Sequence, residues 1–197
     1  MNSLYSFIVK PLNKRYDNVR KVGDKTLIIN TTIENHQFVS KEAVVVSVPA
    51  AYSSRIKVGD KVYVHHNIFR RWYDQKGKER NSSTYFKDDL YFCTPEQIYM
   101  YNGKPHLEYC FIKPLHEINH LSNLKEKEHF GILKYSNKSL ERAGLKPGEL
   151  VIFTPNSEFE FIIDDERLYC MKSNDIALTH EYEGNEKEYN PSWAKGS

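Results

Sequence analysis

The chain has 197 residues, 40% hydrophobic and 27% charged, a composition that excludes disorder as its main state and accommodates one large domain or two small ones. Lys and Arg number 28 against 26 Asp and Glu, and a net charge of +2 is too near balance for the broad basic surface of a non-specific nucleic-acid binder, so any basic site is local. Mean hydropathy is −0.65, no run approaches the ~18 apolar residues of a membrane span, and Met1 to Leu12 is too polar for a secretory signal, which together predict a reducing, cytoplasmic setting.

In chain order, strands are expected at Leu27-Ile-Ile29, Val44-Val-Val46, Val62-Tyr-Val64 and Leu90-Tyr-Phe92. These runs are short and rich in β-branched and aromatic residues, the mark of strands. Between Val64 and Leu90 the segment 67–86 alternates apolar and polar residues around Gln75-Lys-Gly77 and predicts a protruding hairpin. Asn102-Gly-Lys-Pro105 interrupts regular structure and serves as a joint. Beyond it, strands are expected at Gly131-Ile-Leu133, Leu150-Val-Ile-Phe153, Phe159 to Ile163 and Leu168 to Met171. One helix is predicted over Lys138 to Ala143, with Asn137 as its cap, Gly144 as its stop and Pro147 beyond. Residues 183–197 are polar and read as a tail.

Three blocks recur in the same order. Tyr5-Ser-Phe-Ile-Val-Lys-Pro-Leu12 returns as Tyr109-Cys-Phe-Ile-Lys-Pro-Leu115, one residue shorter, and Ile56-Lys-Val-Gly-Asp-Lys-Val-Tyr-Val64 returns as Leu145-Lys-Pro-Gly-Glu-Leu-Val-Ile-Phe153. Asp89 to Ile98 matches Arg167 to Ile176 with unchanged spacing. The repetition predicts two related domains at 1–103 and 107–182, each all-β, with little helix, and small enough to be a barrel or sandwich.

Val58-Gly59-Asp60 and Pro147-Gly148-Glu149 each precede a strand, where glycine can take a positive φ and the acid can bond the turn backbone. That turn, a strand, a second hairpin and a terminal strand opened by Ser173-Asn-Asp-Ile176 or Thr94-Pro-Glu-Gln-Ile98 resemble the GroES co-chaperonin (chaperonin-10) family. Gly144 to Phe153 followed by Ile163 to Ala177 looks like the family's closing half, and Phe7-Ile-Val-Lys-Pro-Leu12 is similar to its opening strand. The resemblance implies two tandem GroES-like β-barrels, assembly into a homo-oligomeric ring, and capping of a chaperonin by hydrophobic loops. The corresponding segments are Thr31 to Lys41, with Ile33, Phe38 and Val39 as anchors, and Asn119 to Glu128, with Leu121 and Leu124. Neither carries the glycine-flanked aliphatic triplet of the family. The simpler alternative for Ile33, Phe38 and Val39 is that they pack on their own barrel.

The hairpin 67–86 concentrates Phe69, Arg70, Arg71, Trp72 and Tyr73 with Lys76, Lys78 and Arg80. Such residues can anchor a protein interface or stack bases and hold phosphates, and the near-neutral total charge favours protein over nucleic acid. A third reading folds its aromatics back on the domain.

His116-Glu-Ile-Asn-His120 matches HExxH, but it directly follows a strand and its counterpart Asn13 to Asp17 holds no ligands, so no metal and no cofactor is expected. His65 and His66 are expected on opposite faces of a strand. Three cysteines, Cys93, Cys110 and Cys170, suggest neither a disulfide framework nor a zinc site, and no nucleophile or phosphate-loop motif is present. Asp88, Asp89, Asp164 and Asp165 read as turn residues rather than an acid and base pair. The expectation is a non-enzyme. Two functions stay open: a co-chaperonin-like cap of a chaperonin ring, of the kind viruses encode, or a scaffold in a large assembly such as a virion, which the missing triplet favours. No membrane partner is expected.

Overall fold

The structure is a computed structural model that describes residues 3–16, 19–22, 25–28, 38–117, 126–182 and 186–194. The chain divides into two units, Met1–Gly103 and Lys104–Ser197. The fold is all-β, with a single α-helix among the described residues. No described helix is long and apolar enough to cross a membrane.

The first unit contains β1 (Phe7–Pro11), β2 (Val19–Val22), β3 (Lys25–Ile28), β4 (Glu42–Ser47), β5 (Lys61–Val64), β6 (Arg71–Tyr73), β7 (Glu79–Asn81), β8 (Tyr85–Lys87), β9 (Leu90–Cys93) and β10 (Ile98–Tyr101). After β11 (Lys104–Pro105), the second contains β12 (Tyr109–His116), β13 (Glu126–Tyr135), α1 (Lys138–Arg142), β14 (Leu150–Phe153), β15 (Phe159–Ile163), β16 (Glu166–Lys172) and β17 (Ile176–His180). The first sheet runs β11-β10-β5-β4-β1-β9-β8 and the second β17-β14-β13-β12-β16-β15. Apart from the short edge strand β11, the two orders are the same when the repeated blocks are laid over each other. Both sheets are open as hydrogen-bonded objects. Of the strand expected at Leu27-Ile-Ile29, Leu27 and Ile28 lie in β3, which among the described residues pairs with β2 alone in a separate hairpin, and Ile29 lies outside the described residues.

The likeness extends to irregularities. Ile8 faces Ser47 while Val9 faces Val45, so one residue bulges, and Phe111 facing Tyr135 beside Ile112 facing Leu133 repeats the same bulge. A second bulge lies between Ile98 and Met100 against β5 and recurs in the pairing of β14 with β17. The two glycine turns close identically: Gly59 N donates to the Val45 carbonyl and Gly148 N to the Leu133 carbonyl, each at 2.8 Å, with φ of 91° and 97°. Such φ values exclude most side chains, which is why both turns carry glycine. Asp60 accepts from Lys57 N at 2.8 Å, and this bond, with Asn102, holds its carboxyl below the usual range.

Pairing also corrects the alignment of the opening strands. Phe7 faces Cys93 and Cys110 faces Met171, so Phe7 corresponds to Cys110 and Ile8 to Phe111. The shared Lys-Pro-Leu is equivalent in space, whereas the shared Phe-Ile is not. Burial decides the register, since Phe7 and Cys110 both enter the cores of their units.

In the second unit Asn137 caps α1 through Oδ1, accepting from Ser139 N at 2.9 Å and Leu140 N at 3.1 Å, and Leu140 drops into the core. The segment 186–194, read from sequence as part of a tail, is docked on this unit. His116 N donates to the Lys187 carbonyl and Tyr189 N to the Pro114 carbonyl, both at 2.8 Å, and Lys113 Nζ pairs with Glu188 at 2.7 Å. Ala194 is fully buried. Backbone pairing with the end of β12 orders a segment whose polar composition signals none of this.

Candidate functional site

The insertion between β5 and β8 brings exposed aromatic and basic side chains together. Val64 ends its strand, and His65 turns the chain into a 3-10 turn over His66–Ile68 by accepting from Asn67 N through Nδ1 at 3.1 Å. Ile68 and Phe69 then enter the core, where Phe69 meets the Tyr91 ring edge-on at 4.9 Å between centroids. This core anchor fixes the root of the following ribbon, β6 paired with β7.

Further contacts brace that root. Arg71 N donates to Tyr16 Oη at 2.7 Å, and the Arg71 guanidinium lies 4.7 Å over the Tyr16 ring while bonding Glu79 at 2.8 Å. Arg15 donates to the Phe69 carbonyl at 2.9 Å and to Asn81 Oδ1 at 2.9 Å. Ser82 and Thr84 hydroxyls both reach the Ile68 carbonyl. At the tip, Asp74 accepts from Lys76 N, Lys78 N and Arg80 Nε at 2.9–3.0 Å, with Gly77 at φ 71°. The Lys78 amide, and Arg80 beside it, hold the Asp74 carboxyl below the usual carboxylate range.

The ribbon presents Trp72, 44% exposed, and Tyr73, 49% exposed, between this root and the exposed lysines Lys76 and Lys78. Trp72 Nε1 donates to the Asn81 carbonyl at 3.2 Å, so the indole is held without being covered. Phe86 and Phe92, also exposed, pair at 5.2 Å on the adjoining strands β8 and β9. The position of Phe92 is taken in the second unit by Cys170, which is fully buried.

The sequence-derived candidates therefore separate. Trp72 is displayed; Arg70 and Arg71 are half-buried, and the Arg70 Nε is buried with no hydrogen-bond partner among the described residues. Phe69 is a core residue and not a surface anchor. Val39, expected as a loop anchor, is 3% exposed, forms a bridge with Tyr16 and belongs to the same core. Phe38 is half-buried and packs against that core. The Tyr16 bridge and the bond from Ser40 N to the Arg15 carbonyl pull this end of the loop inward. Ile33, Leu121 and Leu124 lie outside the described residues. Arg15 and Tyr16, which position the ribbon, carried no signal in the sequence beyond their residue types.

His116 ends strand β12 and packs edge-on against Tyr189 at 4.8 Å, so the helix that an HExxH motif needs does not begin there; residues 118–120 lie outside the described residues. His65 and His66 do not face opposite ways. The strand ends before them and their rings stack at 4.3 Å. Among the described residues no group of three or more His, Cys, Asp and Glu is placed to hold a metal. All three thiols are buried, and burial pushes them up, Cys110 to about 12.

Comparison of the sequence with protein-family models and with curated proteins gives no match.

Proposed function

We propose that the chain is a non-enzymatic, tandem GroES-type binding protein that acts as a co-chaperonin-like partner of a chaperonin ring. The observation that carries this reading is the duplication itself: two units with one strand order, the same two bulges and the same glycine turn, on sequence blocks that resemble that family. In this reading the units are barrels in function, copies of the chain associate with one another, and the protein works in the cytoplasm, that of a host cell if a virus encodes it.

One observation favours the second reading, a scaffold in a large assembly such as a virion. Val39 is held in the core and Phe38 half-covered, which removes two apolar side chains from the loop that would engage a chaperonin, while Trp72 and Tyr73 stand exposed on a ribbon the second unit lacks.

Light scattering of the purified chain, alone and with a chaperonin ring and ATP, separates the two. A nucleotide-dependent increase in mass of the chaperonin complex is expected. No complex under any nucleotide condition, with self-association intact, overturns the co-chaperonin reading and leaves the scaffold.

A further inference from the structure

Each of the two large sheets ends in two edge strands, and three of these edges carry residues that discourage pairing: Lys104 and Pro105 in β11, Lys87 in β8 and Glu160 in β15. β17 carries none. Its five residues include no Lys, Arg, Asp, Glu or Pro, Leu178 is 62% exposed, and no described strand pairs with β17 on the side away from β14. At the equivalent place in the first unit, β10 has β11 along that edge. The repeated architecture thus takes an added strand at this position in one unit and leaves it open in the other.

A groove of about 520 Å³ lies beside the open edge. One wall is Leu140, Ala143 and Leu145, from α1 and the turn after it, and the other is residues 176–179 of β17. Strand side chains alternate between faces, so four consecutive residues line one groove only where the backbone edge itself forms the wall. Glu108 is the one charged side chain among the described residues of the lining, and it is exposed.

The geometry points to strand addition: the groove between α1 and β17 binds an extended peptide segment of a partner protein, apolar at alternate positions and basic beside Glu108. Backbone groups of β17 directed away from β14 supply the hydrogen bonds, and alternate side chains of the peptide enter the groove against Leu140 and Leu145. Size favours a peptide over a second copy. The groove falls within the ~300–1,000 Å³ of a ligand site, whereas a five-residue edge is far short of the ~20–30 residues a side in a stable protein interface. Charge selects within peptides: residues 104–197 hold 12 Lys and Arg against 16 Asp and Glu, and Glu108 stands at the groove itself. This site does not depend on the chaperonin reading.

The test is selection of a random heptapeptide library displayed on phage against the full chain, followed by fluorescence polarisation of the enriched peptide, synthesised with a label. Enriched sequences should alternate apolar with polar residues and carry Lys or Arg. N-methylation of every second peptide amide should weaken binding on the order of tenfold or more in one register and little in the other, because only one set of amides faces β17. Leu178→Glu and Ala143→Arg change exposed side chains, so each should leave the thermal transition nearly unmoved while weakening binding on the order of tenfold or more. Glu108→Lys should weaken the basic peptide about threefold or more and reverse its advantage over an acidic counterpart. No enrichment over the Leu178→Glu variant used as counter-target overturns the inference. So does binding insensitive to N-methylation in both registers, or an equal preference for acidic peptides. A parent chain that self-associates and enriches no peptide, with Leu178→Glu monomeric, overturns it in favour of a second copy at this edge.

Discussion

Tyr91 and Tyr169 occupy the same position in the two units, Tyr91 opposite Val9 and Tyr169 opposite Ile112, and each carries a guanidinium over its ring. The arginines do not correspond. Arg15, at 5.2 Å, comes from the loop after β1, whereas Arg167, at 4.8 Å, lies on β16 two residues before its tyrosine. A cation over a buried ring face is favourable whichever segment supplies it, so the contact recurs where the residue does not. Its wider role differs too. Arg15 ties the ribbon root to the first core, and Arg167 gathers Glu126 at 2.7 Å and Glu160 at 2.6 Å at the edge of the second.

Arg167→Met should therefore destabilise the second unit by about 2–3 kcal/mol, because Glu126 loses a charged partner in a half-buried setting and the Tyr169 hydroxyl loses one of its two. Arg167→Lys should recover only part of this, since an ammonium cannot bond both carboxylates and cover the ring in one plane. Urea unfolding followed by far-UV circular dichroism reads both. A loss within about 0.5 kcal/mol for Met, the scale of an ordinary surface change, would mean that the network is solvent-screened decoration.

Gly131 matches Ala43 in the first unit, yet has no room for that methyl. A Cβ there would stand 2.3 Å from Ile112 Cγ2 and 2.6 Å from the Lys113 carbonyl oxygen, and the latter is backbone. Gly131→Ala should cost roughly 1–3 kcal/mol by forcing β12 and β13 apart. Scanning calorimetry should show the lowered transition in the second unit alone. An unchanged transition would show that the two strands can separate without penalty.

The three thiols should be silent in the folded protein. Burial raises all of them, so at neutral pH the nucleophilic thiolate is nearly absent and reagents cannot reach it. Ellman's reagent should titrate none before denaturant and all three cysteines of the chain after it. Rapid labelling of one native thiol would point to an opening of its sheet or to a reactive site.

Burial, with Lys41 nearby, lowers the His65 pKa below its usual ~6.5, and its neutral Nδ1 is needed to accept from Asn67 N. The unfolded state then binds the proton more readily than the folded state. Stability from this group is complete above about pH 6.5 and is lost as pH falls through the lower folded value. His65→Asn keeps an acceptor without a titrating ring. The melting temperature of the parent protein, relative to this variant, should drop as pH falls below about 6.5; parallel profiles would show that protonation leaves the turn intact.

The strands, their repetition and their glycine turns were legible because they depend on local chemistry. Apolar β-branched runs specify strands wherever they fall, Gly59 and Gly148 are required by a positive φ, and Asn137 caps its helix within three residues of itself. The hairpin around Gly77 follows from the same short-range rules. Long-range pairing decided the rest. Phe69 and Val39 look like surface anchors in sequence and are core in space because Tyr91 and Tyr16, far away in the chain, cover them. Phe92 and Cys170 share a position and differ in exposure because only tertiary packing sets which sheet face is covered. The segment 186–190 has the composition of a solvated tail, and only the end of β12 beyond its pairing with β16, with Lys113 beside it, makes it a strand partner. Burial belongs to the assembled chain, and side-chain type alone does not carry it.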